Sequence, residues 1–358
     1  MKKSKISALF LSCAVMFMSL VGCGSTSSGS DNSSSQNSGQ AQETTKLRVG
    51  MVTDEGGLGD KSFNDAAYEG LKKVEKDLGF EITVLEPKQT SDYKSYMDRL
   101  SKNSDLVLGV GYKLKDTVAE VSKQNPDIKY VLVDDVVEGD NVYNLTFKEE
   151  EGSFLAGVLA GLTTKTNKIG FIGGTETPLI KKFEAGFIAG VKSVNPEAGK
   201  LLEDGTTVRY AGTFSDTARG YEIAKSLYSD GVDIIYHAAG GVGIGMFRAA
   251  QETGNYGIGV DQDQALSLPE YSDVILTSVV KNLKDGVYNI VEGISAGTYE
   301  PGTTELGLEE NGIYLAPISK EKVSQEILDK VEEYKNKIIN GEIVVPATIE
   351  ELKVFTVQ

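Results

Sequence analysis

Four stretches of this 358-residue chain place polar-recognition residues at the ends of short apolar runs. The first runs Thr53-Asp54-Glu55-Gly56-Gly57-Leu58-Gly59-Asp60-Lys61-Ser62-Phe63-Asn64. Its glycines allow backbone shapes closed to other residues and let a loop approach a ligand closely. Phe63 offers a flat face that stacks on a planar ring. Asn64 carries a carbonyl and an amide, so it matches a heterocycle edge that both donates and accepts. The same pair also suits a helix start, with Asn64 as cap and Phe63 as staple, and spacing alone does not separate the two roles. The second stretch, YVLVD, ends at Asp134, which either accepts from ring N–H groups or turns the chain before Asp135.

The third stretch, DIIYHAAGG, ends in Gly240 and Gly241 and leads into a helical pattern. This resembles an anion cradle at a helix N-terminus. However, Met246 stands where a dinucleotide fingerprint needs its third glycine, and no G-x-x-x-x-G-K-[ST] occurs, so neither a dinucleotide nor a nucleoside-triphosphate site is supported. The small residues instead let the backbone come near a ligand. The fourth stretch, GIGVD, ends in Asp261-Gln262-Asp263-Gln264. A carboxylate there suits both hydroxyls of a diol, and Lys281, after ILTSVV, completes a polar clamp. Two carboxylates so close also bring acid–base or metal chemistry to mind. Adjacent strand residues face opposite ways, though, and no third acid is spaced to complete a magnesium or calcium site.

Other chemistry is poorly provided for. His237 is the single histidine, and the two cysteines are Cys13 and Cys23. A zinc site needs several nitrogen or sulfur ligands, so no metal is expected. A lone histidine is ordinarily a packing or hydrogen-bonding residue. No G-x-S-x-G and no Ser–His pairing is evident. The reading is a binding protein without a cofactor rather than an enzyme.

The elements that must position these residues alternate. Strands are expected over Leu47–Thr53, Glu81–Leu85, Asp105–Val110 and Tyr130–Asp134, and helices over Asn64–Gly79, Ser91–Lys102 and Lys115–Gln124. After a helix over 148–162 the pattern restarts. Strands Lys168–Ile172, Val208–Ala211, Asp233–Ala238 and Tyr256–Val260 alternate with helices Ile180–Asn195, Thr217–Asp230 and Val242–Thr253. Short apolar strands alternating with helices imply parallel sheets covered on both faces. The expected fold is therefore α/β: two doubly wound, Rossmann-like lobes around a cleft, the type I periplasmic-binding-protein fold. The lobes are expected at 46–147 with 264–312 and at 148–263 with 313–358. Ligands of open α/β sheets sit beyond the carboxyl ends of the strands, so two inward-facing lobes share one ligand and close by a hinge. A two-domain Rossmann enzyme is the alternative. A charged amphipathic helix is expected over Lys320–Asn340, and the tail 341–358 reads as partly β-like.

The N-terminus sets the compartment. Lys2, Lys3 and Lys5 precede an apolar run from Ile6 to Val21 that ends in Leu20-Val21-Gly22-Cys23. This is a lipoprotein signal peptide over 1–22 with Cys23 as the acylated residue. Two or more acyl chains give a stable anchor on the outer face of the cell membrane. Residues 24–45 are almost free of apolar side chains and read as a flexible tether. The formal net charge is −16. Loss of the three leader lysines takes it to −19 (−16 − 3), which argues against nucleic acid as a partner.

Further runs carry a family resemblance. VTDEGGLGDKSFNDAAYEGL, EEGSFLAGVLAGLTTKTNKIGFIGG, IKKFEAGFIAGVKSVNP, YAGTFSDTARGYEIA, DIIYHAAGGVGIG, GVDQDQ and SVVKN occur in this order. Together they resemble the basic membrane protein (BMP) lipoproteins, substrate-binding components of ABC transporters that include the purine nucleoside receptor A type. The resemblance spans residues 46–345. It implies a purine nucleoside in the cleft, a membrane permease as partner and a monomer. It further implies that Phe63 stacks on the base, with Phe214 or Tyr236 on the other side. Asn64 and Asp134 would bond the base edge, and Asp261 and Lys281 the ribose hydroxyls. Gly240 and Gly241 would line the wall and Asp54 the floor, and His237 is the alternative to Tyr236. Capture of another small solute, such as a sugar or a signalling molecule, and a secreted nucleoside-processing enzyme are the competing functions.

Overall fold

The structure, a computed structural model, describes residues 46–318 and 321–356. The leader, Cys23 and the tether lie outside the described residues. The first half alternates β1 (Arg48–Val52), α1 (Phe63–Leu78), β2 (Glu81–Leu85), α2 (Tyr93–Ser101), β3 (Leu106–Val110), α3 (Lys115–Gln124), β4 (Lys129–Val133) and β5 (Val142–Phe147). The second runs α4 (Glu149–Thr163), β6 (Ile169–Gly173), α5 (Pro178–Val194), α6 (Pro196–Glu203), β7 (Val208–Tyr210), α7 (Thr217–Ser229), β8 (Ile234–Ala238), α8 (Val242–Thr253), β9 (Tyr256–Asp261), α9 (Gln264–Ser267) and β10 (Ile275–Lys281). The chain closes with α10 (Leu283–Ala296), β11 (Gly302–Leu306), β12 (Ile313–Leu315), α11 (Gln325–Ile339) and α12 (Ile349–Val354).

Two six-stranded sheets result, ordered β11-β5-β4-β3-β1-β2 and β12-β10-β9-β8-β6-β7. All strand pairs are parallel except β10 with β12. The strands LVLGV, IGFIG and IIYHA are buried along their whole length, as helices on both faces of a parallel sheet require. The two sheets repeat one topology. In each, the order reverses beside the first strand, between β1 and β3 and between β6 and β8. Such switch points leave a crevice at the strand ends.

Three chain segments cross between the sheets: Phe147 to Glu149, Lys281 to Leu283 and Leu306 to Ile313. This corrects one expected boundary. Residues 275–281, assigned above to the first lobe, form β10, which is hydrogen-bonded to β9 in the second sheet. The return to the first sheet begins only at α10, which packs on α1. The tail is corrected too. Thr348 and Glu351 form a reciprocal capping box, so residues 349–354 become helix α12 and not a strand.

Helix α4 is buried along nearly its whole length and packs on α5, α11, β10 and β12. At Gly157, Gly186 and Gly190 an added Cβ would run into the backbone of Phe187, Glu150 and Phe154 respectively. These glycines let α4 and α5 meet backbone to backbone.

Candidate functional site

The strand ends of both sheets surround one cavity, the place where open α/β sheets take their ligands. The loops after β1, β3, β4, β6, β8 and β9 converge there.

Asp60 organises the first loop. Its carboxylate accepts from the backbone N–H of Ser62 (2.9 Å), Asn64 (2.9 Å) and Asp65 (3.2 Å). It thus satisfies the open first turn of α1, and Asn64 is not the cap. The Asn64 amide instead donates to Asp54 Oδ1 (2.8 Å) and Asp60 Oδ2 (3.0 Å), while its Oδ1 accepts from Asp54 N (3.2 Å). Both amide hydrogens are committed, so Asn64 offers a ligand only an acceptor lone pair. That corrects the expectation of a two-way donor and acceptor. Asp54 Oδ1 also accepts from Gly56 N (2.8 Å), and burial raises the Asp54 pKa above its ordinary value.

Asp134 and Asp261 occupy equivalent places. Each stands at the end of the third strand in its sheet order, β4 or β9. Both adopt left-handed backbone, at φ 70° and 66°, a region aspartate enters more readily than most residues. The turn aims one carboxylate from each half into the cavity. Burial pushes the Asp134 pKa up to about 6 against the opposing pull of Lys281. Burial raises Asp261 to about 7, opposed by Lys281 and by the Ser62 hydroxyl.

Lys281 ends β10 and is buried. Its ammonium donates to both Asp134 oxygens at 2.7 Å and sits 2.9 Å from Glu149 Oε1. The Glu149 contact is an ion pair too poorly aligned to count as a hydrogen bond. Burial pulls the Lys281 pKa down, but Asp134, Glu149 and Asp261 together raise it above its ordinary value. Lys281 therefore pairs with Asp134 and Glu149, and the hydroxyl partner of Asp261 is Ser62.

The aromatic lining is Phe63, Phe183 and Phe214, with Tyr112 beside them. Phe214 lies over Gly174, where any Cβ would strike its ring. Tyr236, the expected alternative to Phe214, is not in the cavity wall. Its ring packs in the core against Phe187 (4.9 Å between centroids) and Phe171 (5.6 Å), and its hydroxyl meets Ser153 at 3.1 Å. Depth along the strand explains this: Tyr236 shares a face with the cavity residue Ala238 but stands two residues further from the carboxyl end of β8, among side chains of α4 and α5. His237 is also behind the wall, its Nε2 2.8 Å from Gln264 Oε1. Burial lowers its pKa to about 4, so it is neutral. Gly240 lines the cavity, whereas Gly241 leads into α8 and does not.

Of the ten residues expected in a site, Asp54, Phe63, Asn64, Asp134, Phe214, Gly240, Asp261 and Lys281 meet at this cavity. Asp60, Phe183 and Glu149 were not anticipated. Asp60 had the signal of an acid two to five residues ahead of a helix's first N–H groups. Phe183 sits in an apolar helix that reads as pure core.

Bonds also cross between the halves. Gln262 Nε2 donates to Ser62 O (3.1 Å), Gln264 Nε2 to Lys61 O (3.0 Å), and Tyr112 and Thr175 share a hydroxyl contact (3.0 Å). With the Ser62–Asp261 and Lys281–Asp134 contacts they hold the cavity closed. Among the described residues no group of acids, histidines or cysteines could hold a metal ion. No helix among them is long and apolar enough to cross a membrane.

Two sheets of one topology, facing strand ends and an enclosed cavity between them define a type I periplasmic-binding-protein-like solute-binding protein. An ABC-transporter solute-binding protein of Aeropyrum pernix K1 has this fold, with a TM-score of 0.75 at 27% identity over 86% of this chain and 98% of that one. A second, from Conexibacter woesei, matches with a TM-score of 0.67 at 23% identity, over 84% and 99% of the two chains. The chain belongs to the Bmp family, described as ABC transporter substrate-binding protein PnrA-like, whose model matches residues 47–349. It is 41% identical to a CD4+ T-cell-stimulating antigen of Listeria innocua, over 96% of this chain and 99% of the relative. It is 36% identical to a Lactococcus lactis protein named ABC transporter nucleoside-binding protein BmpA, over 85% and 90%. By its description the family is one of ABC-transporter substrate-binding proteins.

Proposed function

We propose that this protein captures a purine nucleoside in the cleft and passes it to a membrane permease, and that it works as a monomer anchored through acylated Cys23. The carrying observation is the pairing of aromatic faces with carboxylate acceptors. Phe63, Phe183 and Phe214 line the same cavity as Asp54, Asp134 and Asp261. A purine presents flat faces and N–H edges, and ribose presents a diol, so its donors match an acceptor-rich wall. In this reading Phe63 and Phe214 stack on the base, while Asp134 and the Asn64 carbonyl accept from its edge. Asp261 and Lys281 hold the ribose, Asp54 forms the floor and Gly240 the wall. The name of the Lactococcus lactis relative supports the same ligand class.

The test is calorimetry of refolded, ligand-stripped protein against guanosine, inosine, adenosine, cytidine and ribose. Submicromolar or micromolar binding of purine nucleosides with ribose silent is expected, and release of free base is not. Silence across the panel would move the ligand to another solute class. Release of ribose and base would favour a processing enzyme. Radiolabelled palmitate should label the wild-type chain and not Cys23→Ala.

A further inference from the structure

Among the described residues Lys281 is the one ammonium that lines the cavity, and it is surrounded by rings. Its Nζ lies 5.3 Å from the Phe63 centroid, 5.2 Å from Phe147 and 5.6 Å from Phe183. A buried ammonium among apolar groups loses its proton readily unless anions face it. The facing anions come from three elements: Asp134 after β4, Asp261 at the end of β9 and Glu149 at the start of α4. Asp60 stands beyond Asp261, and Lys182 stands beyond Glu149, 3.2 Å from its Oε2.

These anions do not move together. Asp134 belongs to the first sheet, across the cleft from β10. Glu149 opens α4, which packs on β10 and β12, so it stays with Lys281 in the second half. Glu149 is itself fixed: Lys182 holds its other oxygen and donates to Phe147 O at 3.0 Å. If the halves part, the bond to Asp134 breaks; Asp261, which ends β9 beside β10, stays in the second half, and the ion pair with Glu149 is the direct contact of the ammonium that remains.

We propose that Glu149 is the positioning residue for Lys281, keeping its ammonium charged and turned into the cleft in the absence of Asp134. Glu149 itself is absent from the cavity lining and acts through Lys281. The assignment of Lys281 to ligand contact rests on the nucleoside reading above, but the titration of Lys281 does not.

The experiment is therefore done without ligand. Protein labelled with ¹³Cε-lysine is titrated by NMR from pH 7 to 11.5, and Lys281 is assigned by its loss in Lys281→Arg. In the wild type Lys281 should stay protonated throughout. In Glu149→Gln, which keeps the shape and removes the charge, the midpoint should fall by about 1–3 pH units, as expected for losing an opposite charge at this range, and bring deprotonation of Lys281 within the titrated range. Glu149→Asp, which keeps a withdrawn charge, should fall less, and it serves if the glutamine variant does not fold. Nucleoside affinity of Glu149→Gln should fall away at alkaline pH where the wild type holds. A Lys281 that stays protonated to pH 11.5 in Glu149→Gln, or in Glu149→Asp where the glutamine variant does not fold, would overturn the proposal. Lack of nucleoside binding by the wild type, with the midpoint shifted in Glu149→Gln, would overturn the ligand reading alone.

Discussion

At the scale of single residues, burial raises the carboxylates of Asp134 and Asp261 well above their ordinary range. The ligand-free Asp261 pKa lies at about 7, and ligand hydroxyls that donate to its carboxylate favour the anion. The sign follows. Binding lowers this pKa and releases a proton, so affinity should rise as pH increases towards about 7 and level off above it. Calorimetry at pH 6.5 in buffers of different ionisation enthalpy should register the proton, and Asp261→Asn should abolish both the release and the slope. The aromatics separate equally cleanly. Phe63→Ala should weaken nucleoside binding by roughly 5–150-fold, the worth of one base–aromatic stack at about 1–3 kcal/mol. Tyr236→Phe should leave the affinity unchanged but cost about 1 kcal/mol of stability through the lost Ser153 contact. Equal binding losses in the two variants would return Tyr236 to the wall. Asn64→Ala should lower both affinity and melting temperature, because Asp54 and Asp60 each lose a donor.

At the scale of elements, glycine placement decides how tightly α4 and α5 meet. A Cβ at Gly190 would collide with the Phe154 carbonyl, so Gly190→Ala should destabilise the protein by about 1–3 kcal/mol, read in denaturant melts. An unchanged midpoint would mean the helices can separate freely. Alternation of strands and helices was legible from Leu47 to Val260, since continuous apolar runs suit strands covered on both faces. Less so were β5, β11 and β12. Val142–Phe147 carries the polar Asn144 and Thr146, and Gly302–Leu306 is an edge strand with three polar residues. Helix α12 was missed because two of its three apolar residues, Ile349 and Val354, are β-branched, although Thr348 and Glu351 carried the capping signal.

At the scale of the whole molecule, contacts between the 261–264 segment and the Lys61–Ser62 turn join the Tyr112–Thr175 and Lys281–Asp134 contacts across the two halves. Gln262 is the useful probe, for it bridges to Ser62 O and is absent from the cavity lining. Gln262→Ala should speed ligand dissociation about 2–10-fold, the worth of one hydrogen bond of about 0.5–1.5 kcal/mol, with association little changed in stopped-flow traces. An unaltered off-rate would show that this bridge does not hold the cleft shut.

The sequence by itself determined the doubly wound architecture, the recurrence of one pattern in two halves and the strand-end aspartates. Each of these is written in local periodicity and in residues adjacent along the chain. Tertiary structure alone decided which side chains share the cavity and which are spent elsewhere. Asn64 was consumed by Asp54 and Asp60, Tyr236 was turned into the core, and Lys281 was placed between Asp134 and Glu149 across 147 and 132 residues of chain (281 − 134 and 281 − 149). Such pairings depend on how two sheets face each other and on which donors are already satisfied, and neither quantity is carried by spacing along the chain.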